Sequence, residues 1–406
     1  MSAEGKEHFI QTLGVVRAFC VENLTIEVSA KETPRHLLLT GPNGSGKSTI
    51  LDALRAELLA PGQLDAELAS ARTRLERAQR RLAATNNTDR ARAVRVEQVQ
   101  QFEREVARLE GQPEVQARLG DFPPELPFVL HVPATRTLQL SQPRGPKALD
   151  DAVFSRGNIR VGETLQHIVN LKSQAALAKD DGALDDAREL TQRLGEFEAG
   201  IGVFFSDESA RLVFDRHTFD FSIESGGRSV SFNQLPDGLA SAVYIWGALT
   251  LACEGQRRRG DFESRGWALI DEPELHLHAE LQERILPFLA KSFPRVQFIV
   301  ATHSPAVLAS LGGATVFDLR TREAYPSEDL RGVRYGTILT EHFGISSDFD
   351  LETTRALREL YAMYETNPKP GTAAFKKMRE LAETLGEVPH LLVPATKKLT
   401  SRASDE

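Results

Sequence analysis

A glycine-rich loop between a predicted strand and a predicted helix limits how this 406-residue chain can fold more than any other feature. The apolar run HLLLT, from His36 to Thr40, is typical of a buried parallel strand, because it ends at a glycine and a helix is predicted to follow. That helix begins near Lys47 and carries apolar residues at helical spacing up to Leu58. The connecting sequence GPNGSGKS satisfies the whole pattern G-x-x-x-x-G-K-[ST] in this setting. The sequence therefore predicts a phosphate-binding loop on an α/β fold.

The residues of this loop indicate how ATP and a magnesium ion would be held. Glycines let backbone N–H groups turn inward around phosphate oxygens, and the helix N-terminus adds partial positive charge. We expect Lys47 to reach the β- and γ-phosphates and the Ser48 hydroxyl to ligate Mg²⁺. The residues expected to bind the nucleotide here are Gly41, Pro42, Asn43, Gly44, Ser45, Gly46, Lys47, Ser48 and Thr49.

Two consecutive carboxylates follow another predicted strand, Trp267 to Ile270. Ligands of α/β folds bind at the carboxyl ends of the strands, where Asp271 and Glu272 would lie. We expect Asp271 to hold the Mg²⁺ shell and Glu272 to polarise an attacking water. The alternative is that both acids only cap the turn before Pro273, but the phosphate-binding loop upstream favours the catalytic interpretation.

A histidine follows the predicted strand Gln297 to Ala301 (QFIVA). His303 would sit at the tip of the strand next to that of Asp271, where an imidazole can hydrogen-bond the γ-phosphate or the attacking water. A lone histidine is more often a turn residue with local hydrogen bonds. Beside a phosphate-binding loop we interpret His303 as a catalytic sensor of the γ-phosphate.

An arginine-rich helical hairpin is predicted over residues 63–118. Leu64, Leu68 and Leu75 belong to an apolar series with steps of four and three, which is heptad spacing, and the turn formers Asn86 to Asp89 interrupt it before it resumes. We expect a short antiparallel coiled coil. Its outer end, Arg72 to Arg95, could neutralise nucleic-acid phosphates. Keeping the hairpin soluble, or docking to an acidic partner, would explain the same charges.

The composition of the chain indicates in which cellular compartment it works and which partners it is not expected to bind over its whole surface. The formal net charge of −8 argues against a generally basic nucleic-acid coat, although it allows a local basic patch. Two cysteines, Cys20 and Cys253, cannot make a disulfide framework, which indicates a reducing compartment. No apolar run reaches the ~20 residues that a membrane-spanning helix needs, and the first residues lack the regions of a signal peptide. We expect a cytoplasmic protein that does not bind a membrane.

The order of the motifs resembles one family. GPNGSGKST, then LPDG at Leu235 to Gly238, DEPELHLH from Asp271 and ATHSP from Ala301 together resemble the ABC-type ATPases of the SMC/RecF/OLD branch. They are similar in particular to the AAA-like ATPases of prokaryotic antiphage systems, including the Septu type. The resemblance covers roughly residues 10–320, and a weaker one to the Septu-type ATPase covers Arg334 to Gly344. It implies an ABC-type P-loop ATPase head of the α/β class, with a mixed or parallel sheet, the inserted helical hairpin and a helical C-terminal segment.

The family resemblance and the local patterns together predict six segments. They are an ATPase lobe with the phosphate loop (1–62), the helical hairpin (63–118), an ATPase lobe (119–147), a helical insertion (148–200), an ATPase lobe with the signature, carboxylates and His303 (201–320), and a helical partner-binding segment with a tail (321–406). Strands are expected over Val213 to Ile223 with a hairpin turn at Gly226-Gly227, and a helix over Gly238 to Glu254.

The resemblance also implies a head-to-head homodimer, with ATP sandwiched between the phosphate loop of one subunit and the signature of the other. Here the signature would be Leu235 to Ser241, with Asp237 and Gly238 at the nucleotide. Pro236 replaces the serine that the family uses to touch the γ-phosphate, so hydrolysis is expected to be slow. Ser241 is a further hydroxyl in this segment.

Some roles implied by the resemblance stay open between residues. The loop that senses Mg²⁺ and the attacking water offers Gln139 and Gln142, with Arg136 as a third group nearby, and we carry Gln139 as the metal-side candidate. Arg17 or Phe19 could lie over the adenine, although an apolar Phe19 is more typical of a core.

Three other patterns have simpler interpretations. His276 and His278 could suggest zinc, but they lack a full ligand set and fit the DEPELHLH motif. The acids of Asp348 to Asp350 are reminiscent of a Toprim nuclease, yet they are better explained as a cap of the helix from Leu351. Arg257 to Arg259 is interpreted as a solvated loop.

We expect an ATPase that regulates a separate effector, with an HNH-type nuclease as the candidate that the resemblance suggests. One alternative is a DNA-repair or DNA-end-binding ATPase that acts through the hairpin. Another is a non-catalytic scaffold in which bound ATP only sets partner assembly. A transporter ATPase subunit is the interpretation that fits least well, because the hairpin and the long C-terminal segment do not suit that role.

Overall fold

The computed structural model describes residues 9–29, 34–61, 63–84, 89–119, 127–155, 158–258, 264–342, 355–356, 359–360, 362–363 and 372–386. The chain forms two compact units, Met1–Val333 and Arg334–Glu406.

The strands are β1 Ile10–Ala18, β2 Val21–Glu27, β3 His36–Thr40, β4 Glu114–Leu119, β5 Phe128–Val132, β6 Phe154–Ser155, β7 Asn158–Ile159, β8 Arg211–Asp215, β9 Asp220–Ser225, β10 Arg228–Ser231, β11 Gly266–Asp271, β12 Val296–Ala301, β13 Ala314–Asp318 and β14 Glu323–Pro326. The helices are α1 Lys47–Leu59, α2 Gln63–Ala83, α3 Asp89–Glu110, α4 Thr164–Asp180, α5 Leu184–Phe205, α6 Asp237–Arg258, α7 Ala279–Ser292, α8 Pro305–Ser310, α9 Tyr335–His342 and α10 Ala373–Gly386.

A six-stranded sheet in the order β14-β13-β3-β12-β11-β5 forms the centre of the first unit. The strands from β13 to β5 are parallel to their neighbours, and β14 joins the edge antiparallel. In the register, Asp271 pairs with Ala301, and Ala301 pairs with Leu39. The carboxyl ends of β3, β11 and β12 therefore meet at one edge, and the predicted α/β class with a mixed, mainly parallel sheet is confirmed.

Helix α1 carries the phosphate loop into the core. Its apolar side, which includes Ile50, Leu51 and Leu54, is buried in one hydrophobic cluster with the β2-β1-β4 sheet and with one face of the central sheet. Successive strand residues point to opposite faces, so Leu37 and Leu39 of β3 belong to this cluster. The loop is thus fixed to a helix that is held between two sheets.

The inserted hairpin is present, but the prediction of helix over the whole of 63–118 is wrong at its end, because α3 stops at Glu110 and β4 occupies Glu114–Leu119 as a partner of β1. Helices α2 and α3 pack through Ala71, Val106 and Leu109, with Leu68 and Leu75 against them. The predicted turn residues Asn86 to Thr88 lie outside the described residues, as does the side chain of Arg90.

The prediction of helix over the whole of 148–200 is wrong at its start. Asp151–Val153 and Val161–Glu163 form single helical turns, the short strands β6 and β7 pair with each other, and α4 begins only at Thr164. Phe154 and Val153 are buried with Leu251 of α6, so this segment wraps onto that helix. The β9–β10 turn at Gly226-Gly227 is confirmed, with φ of 55° and 74°.

The interpretation of Arg257 to Arg259 as a solvated loop is wrong for the two described arginines. Arg257 and Arg258 end α6. Arg258 lies 4.3 Å from the Phe154 ring centroid and 3.6 Å from Glu254, while Arg257 lies 3.9 Å from Glu189. They pack because α6 runs one turn longer than its apolar pattern suggests. Arg259 lies outside the described residues.

The expectation of helix from residue 321 onward is also wrong at its start, because β14 occupies 323–326 and a helical turn follows. In the second unit, Leu360 and Met378 form a small apolar cluster with Ala356, Met363, Phe375 and Leu381. Asp348 to Asp350 and Leu357 lie outside the described residues. Within the helices that the structure describes, none has the length and apolar character needed to span a bilayer.

Candidate nucleotide-binding site

The phosphate loop leaves β3 and enters α1 through a left-handed glycine. Gly46, the residue before α1, has φ of 94°, and a Cβ there would come within 3.1 Å of the Ala18 carbonyl oxygen. Only glycine suits that conformation and that approach. Pro42, Asn43, Gly44 and Ser48 are exposed on the loop, so its outer side is open to a phosphate chain.

Lys47 is folded back onto the loop. Its side chain is buried, and Nζ donates to the carbonyl oxygens of Gly41 at 3.0 Å and Pro42 at 3.2 Å. Burial lowers the pKa of Lys47, while the carboxylates of Glu272 and Asp271 oppose this shift. The ammonium is therefore held between carbonyl dipoles and the two acids at the end of β11.

Asp271 and Ser48 provide a hard, oxygen-rich pair that fits Mg²⁺. Asp271 is nearly buried and its carboxylate accepts a hydrogen bond from the Ser48 side chain. Burial is the main cause that raises the pKa of Asp271, and within the part of the chain that the structure describes its Oδ1 atom has no hydrogen-bond partner. A hydroxyl and a carboxylate are ligands that Mg²⁺ prefers. These two residues would hold the ion.

Glu272 begins a strained turn. Its φ is 46°, in the left-handed region that costs a side-chain-bearing residue on the order of 1–2 kcal/mol. Its N–H donates to the Ala301 carbonyl at 2.8 Å, and its carbonyl accepts from the Leu275 N–H at 3.1 Å. The turn directs the carboxylate to His303, whose Nε2 lies 3.9 Å from Glu272 Oε1.

The His303 ring is neutral at neutral pH. Burial chiefly, and the Lys47 charge next, lower the pKa of His303 to about 4, with Asp271 opposing. A neutral imidazole has one donor and one acceptor nitrogen. His303 can therefore donate to a phosphate oxygen or to water without a change of charge.

Glu274 anchors the backbone around His303, a role that the sequence reasoning missed. Its Oε1 accepts the Thr302 hydroxyl at 2.7 Å and the N–H groups of His303 at 2.6 Å and Ser304 at 3.1 Å. Burial is the main cause of a raised pKa at Glu274. In the sequence, Glu274 is recognisable only as the acid at the fourth position of DEPELHLH, and that motif does not indicate which groups it would bind.

Arg136 faces the turn after β11 instead of an exposed loop. Its guanidinium donates to Ser241 Oγ at 2.7 Å and to the carbonyl oxygens of Asp271, Glu272 and Pro273 at 3.1, 3.0 and 3.2 Å. Burial lowers the pKa of Arg136, with Glu274 the leading opposing charge.

The two glutamine candidates lie in different surroundings. Gln142 donates through Nε2 to Asp220 Oδ2 of β9 at 2.6 Å. Gln139 is exposed on the extended segment after β5. The next residue, Leu140, is fixed to Asn233 by paired hydrogen bonds of 3.0 and 3.2 Å. Gln139 is therefore accessible, and its role as the metal-side sensor stays a prediction.

The signature segment opens α6. Pro236 and Asp237 are exposed, whereas Ser241 is buried with its hydroxyl engaged by Arg136. A Cβ on Gly238 would lie 2.4 Å from the His276 carbonyl oxygen. Gly238 is therefore required by a close approach of α6 to the loop after β11, in addition to the role expected from the family.

The expectation that Phe19 belongs to the core is wrong. Phe19 occupies the β1–β2 turn with φ of 55°, and it is 70% exposed beside the phosphate loop, where its Cβ lies 3.5 Å from the position of a Cβ on Gly46. A tight turn displays the side chain that two flanking strands would otherwise bury. Arg17 instead donates to the Gln112 carbonyl at 3.0 and 3.1 Å.

His276 and His278 follow the same turn, and His276 has φ of 66°. Over the residues that the structure describes, no group of three or more His, Cys, Asp or Glu side chains is arranged to hold a metal ion.

A family model matches the part of the chain that carries these residues. Residues 37–309 match the family described as "AAA domain, putative AbiEii toxin, Type IV TA system". The match covers more than half of the chain and includes the phosphate loop, Asp271, Glu272 and His303. The chain therefore belongs to this AAA-domain family.

Two relatives are similar over shorter stretches. The chain is 25% identical over 229 residues to "Retron Vc95 probable ATPase" of Vibrio cholerae serotype O1 biovar El Tor, which is 54% of this chain and 44% of that protein. It is 29% identical over 163 residues to "Septu protein PtuA" of Bacillus mycoides (strain KBAB4), which is 38% of this chain and 22% of that protein. The chain spans less than half the length of the curated relatives it matches.

Among solved structures, the "SMC head domain from Thermotoga maritima" aligns with a TM-score of 0.36 and 16% identity, covering 76% of this chain and 93% of that one.

Proposed function

We propose that this chain is an ABC-type ATPase that binds and hydrolyses ATP with Mg²⁺ and regulates a separate effector in antiphage defence. One observation supports the proposal above all: Lys47, Ser48, Asp271, Glu272 and His303 converge at the carboxyl edge of a parallel sheet, where α/β folds bind ligands. The relatives named as a retron ATPase and a Septu protein support the defence context.

Each residue of the site would have a separate role in ATP hydrolysis. The backbone of 41–48 would hold the phosphates, and Lys47 would exchange its bonds to the Gly41 and Pro42 carbonyls for phosphate oxygens. Ser48 and Asp271 would hold Mg²⁺, which neutralises developing charge on the phosphate oxygens when bound. Glu272 would orient and deprotonate the attacking water. His303, neutral and next to Glu272, would donate to the γ-phosphate.

Substitution of Glu272 tests this assignment. Glu272→Gln keeps the size of the side chain but removes the base, so ATP turnover should fall about 10²- to 10⁴-fold while ATP binding persists. Lys47→Ala should lower binding as well. Glu280→Gln is the matched control, because Glu280 is an exposed acid of α7 that pairs with Arg284.

The outcome separates the alternatives. If the wild-type protein binds ATP and Glu272→Gln changes neither turnover nor cellular activity, the non-catalytic scaffold replaces the enzyme. If the wild-type protein binds no nucleotide, the ATPase proposal fails.

The family resemblance extends the proposal to partners. Two copies would meet head to head across ATP, with the exposed Pro236 and Asp237 facing the partner's nucleotide. The effector, with an HNH-type nuclease as the candidate, would bind through residues 321–406. Native mass spectrometry of the endogenous complex, with and without ATP and Mg²⁺, tests both ideas. A second chain that stays attached supports an effector, and its absence in both conditions removes that part of the proposal.

The exposed arginines favour one second candidate, an ATPase that acts on DNA through the α2–α3 hairpin. Arg77, Arg80 and Arg92 are exposed on the described part of the hairpin, and Arg80 has a weak 3.9 Å pairing with Glu76. Strong, salt-sensitive DNA binding by the isolated protein would favour this candidate.

A further inference from the structure

The Arg136 guanidinium lies between the start of helix α6 and the turn that carries Glu272. Arg136 follows β5 by a few residues, and β5 pairs in parallel with β11, so it stands beside the turn that begins at Asp271. One side of the guanidinium faces the carbonyl oxygens of residues 271–273 at 3.0–3.2 Å. Its Nε faces the Ser241 hydroxyl of α6 at 2.7 Å.

The guanidinium suits the group of carbonyl oxygens at this turn. The consecutive carbonyl groups of Asp271, Glu272 and Pro273 all face the Arg136 guanidinium, and Glu272 between them adopts a left-handed φ of 46°. Their dipoles repel at close range in a partly buried setting. A planar guanidinium can donate to several of them at once, whereas a lysine ammonium is a compact point charge that cannot span the same fork.

The Ser241 contact gives the arginine a second function. Ser241 is 5% exposed and lies one turn into α6, whose first residues are the signature Asp237 and Gly238. Gly238 also approaches the His276 carbonyl, so two contacts fasten the start of α6 to the loop that carries Glu272. A shift of α6 would therefore move the turn, and with it the Glu272 carboxylate.

We propose that Arg136 is a positioning residue that couples the start of α6 to the Glu272 turn. It acts through its bonds to the turn carbonyls and to Ser241, and it sets the direction of the Glu272 carboxylate. This inference rests on the proposed function for its kinetic consequences, but the mechanical coupling itself can be measured without nucleotide.

Kinetic measurements on the full-length protein test the coupling. Arg136→Lys should lower kcat for ATP about tenfold to a hundredfold while KM stays within about twofold, because misplacement of a catalytic group by about 1 Å can cost on the order of 100-fold in rate. Ser241→Ala should lower kcat in the same direction, and the double variant should lose less than the product of the two single losses. Arg144→Lys, an exposed arginine of the same segment, should change neither constant.

Amide hydrogen exchange of the nucleotide-free protein gives the independent readout. In Arg136→Lys, exchange should speed up at Leu275 and Leu277 in the turn and at Ala240 in α6, whereas Ser241→Ala should affect Ala240 most. If both variants keep wild-type exchange and wild-type kcat, the coupling is overturned. If exchange changes as expected but the wild-type protein hydrolyses no ATP, the proposed ATPase function fails while the coupling stands. Faster exchange with an unchanged kcat would restrict Arg136 to a purely structural role and overturn its positioning of Glu272.

Discussion

His303 Nε2 lies 3.9 Å from Glu272 Oε1, and the two residues reach this distance because β11 and β12 are adjacent and parallel. Since burial and Lys47 lower the pKa of His303 to about 4, the ring should act as a neutral donor. We expect His303→Ala to lower kcat about 10²-fold with little change in ATP affinity. The ATPase pH profile should show no rise or fall owing to His303 between pH 5.5 and 8. An activity loss centred near pH 6.5 that vanishes in His303→Gln would contradict a lowered pKa.

Gly238 tests the contact between the signature and the loop after Glu272. Gly238→Ala places a Cβ 2.4 Å from the His276 carbonyl oxygen, so α6 must move. We expect a loss of about 1–3 kcal/mol in the free energy of unfolding, measured by urea denaturation, together with a lower kcat. Gly195→Ala in α5 is the matched control, because a Cβ there meets nothing within 4 Å, and it should be neutral or stabilising. Equal stability of the two variants would show that the approach of α6 is not tight.

Phe19 is expected to stack on the adenine. Phe19→Ala should weaken ATP binding by roughly 5- to 150-fold, since stacking of a base on an aromatic ring is worth about 1–3 kcal/mol. Phe19→Trp should retain the affinity, and kcat at saturating ATP should persist in both variants. Binding of a fluorescent ATP analogue gives the measurement. Glu22→Gln, at an exposed residue of β2, is the control. Unchanged affinity in Phe19→Ala would place the adenine elsewhere.

The hairpin arginines give a prediction for the DNA-binding candidate. If Arg77 and Arg92 bind phosphates, the double Arg→Glu variant should weaken DNA binding, and the slope of log affinity against log salt should fall by about 1 for each phosphate that the variant no longer neutralises. Electrophoretic mobility shift or anisotropy at several salt concentrations would measure this. Arg188→Glu, on the exposed side of α5, should have no effect. Equal binding by all variants would remove the hairpin from nucleic-acid recognition.

Local patterns were enough to predict the central part of the fold. The phosphate loop, the strands before Asp271 and His303 and the heptads of the hairpin were recognisable because each depends on residues that are close in sequence. The family match over residues 37–309 agrees with the class that these motifs implied. The six segment boundaries and the roles assigned to the site residues stay predictions.

The features that the sequence concealed depend on distant contacts. Arg136 stands 105 residues from Ser241 and 136 from Glu272, so no spacing rule connects them. Glu274 reaches Ser304 across 30 residues. Phe19 was expected inside because it is apolar, whereas a tight turn with a left-handed φ displays it. Strand β14 was missed because it is only an edge strand with little burial.

A buried histidine predicts how stability depends on pH. His167 is 4% exposed, and burial first, then the charges of Arg193, Arg258 and Arg257, lower its pKa to about 3. The unfolded chain therefore binds this proton near pH 6.5, whereas the folded protein does not until about pH 3. Between these values stability falls as the pH falls, because protonation favours the unfolded state.

The expected size of this effect is large enough to measure. From pH 7 to pH 5, His167 alone should cost about 2 kcal/mol, since the slope approaches ~1.4 kcal/mol for each pH unit below pH 6.5. Urea unfolding of the full chain at pH 7 and pH 5 should therefore show a smaller loss for His167→Met than for the wild-type protein. His217→Gln, at an exposed histidine, should lose as much as the wild type. His36, whose pKa is also lowered to about 4, contributes equally to every variant, so it does not disturb the comparison. Parallel losses in wild type and His167→Met would mean that His167 accepts a proton in the folded protein.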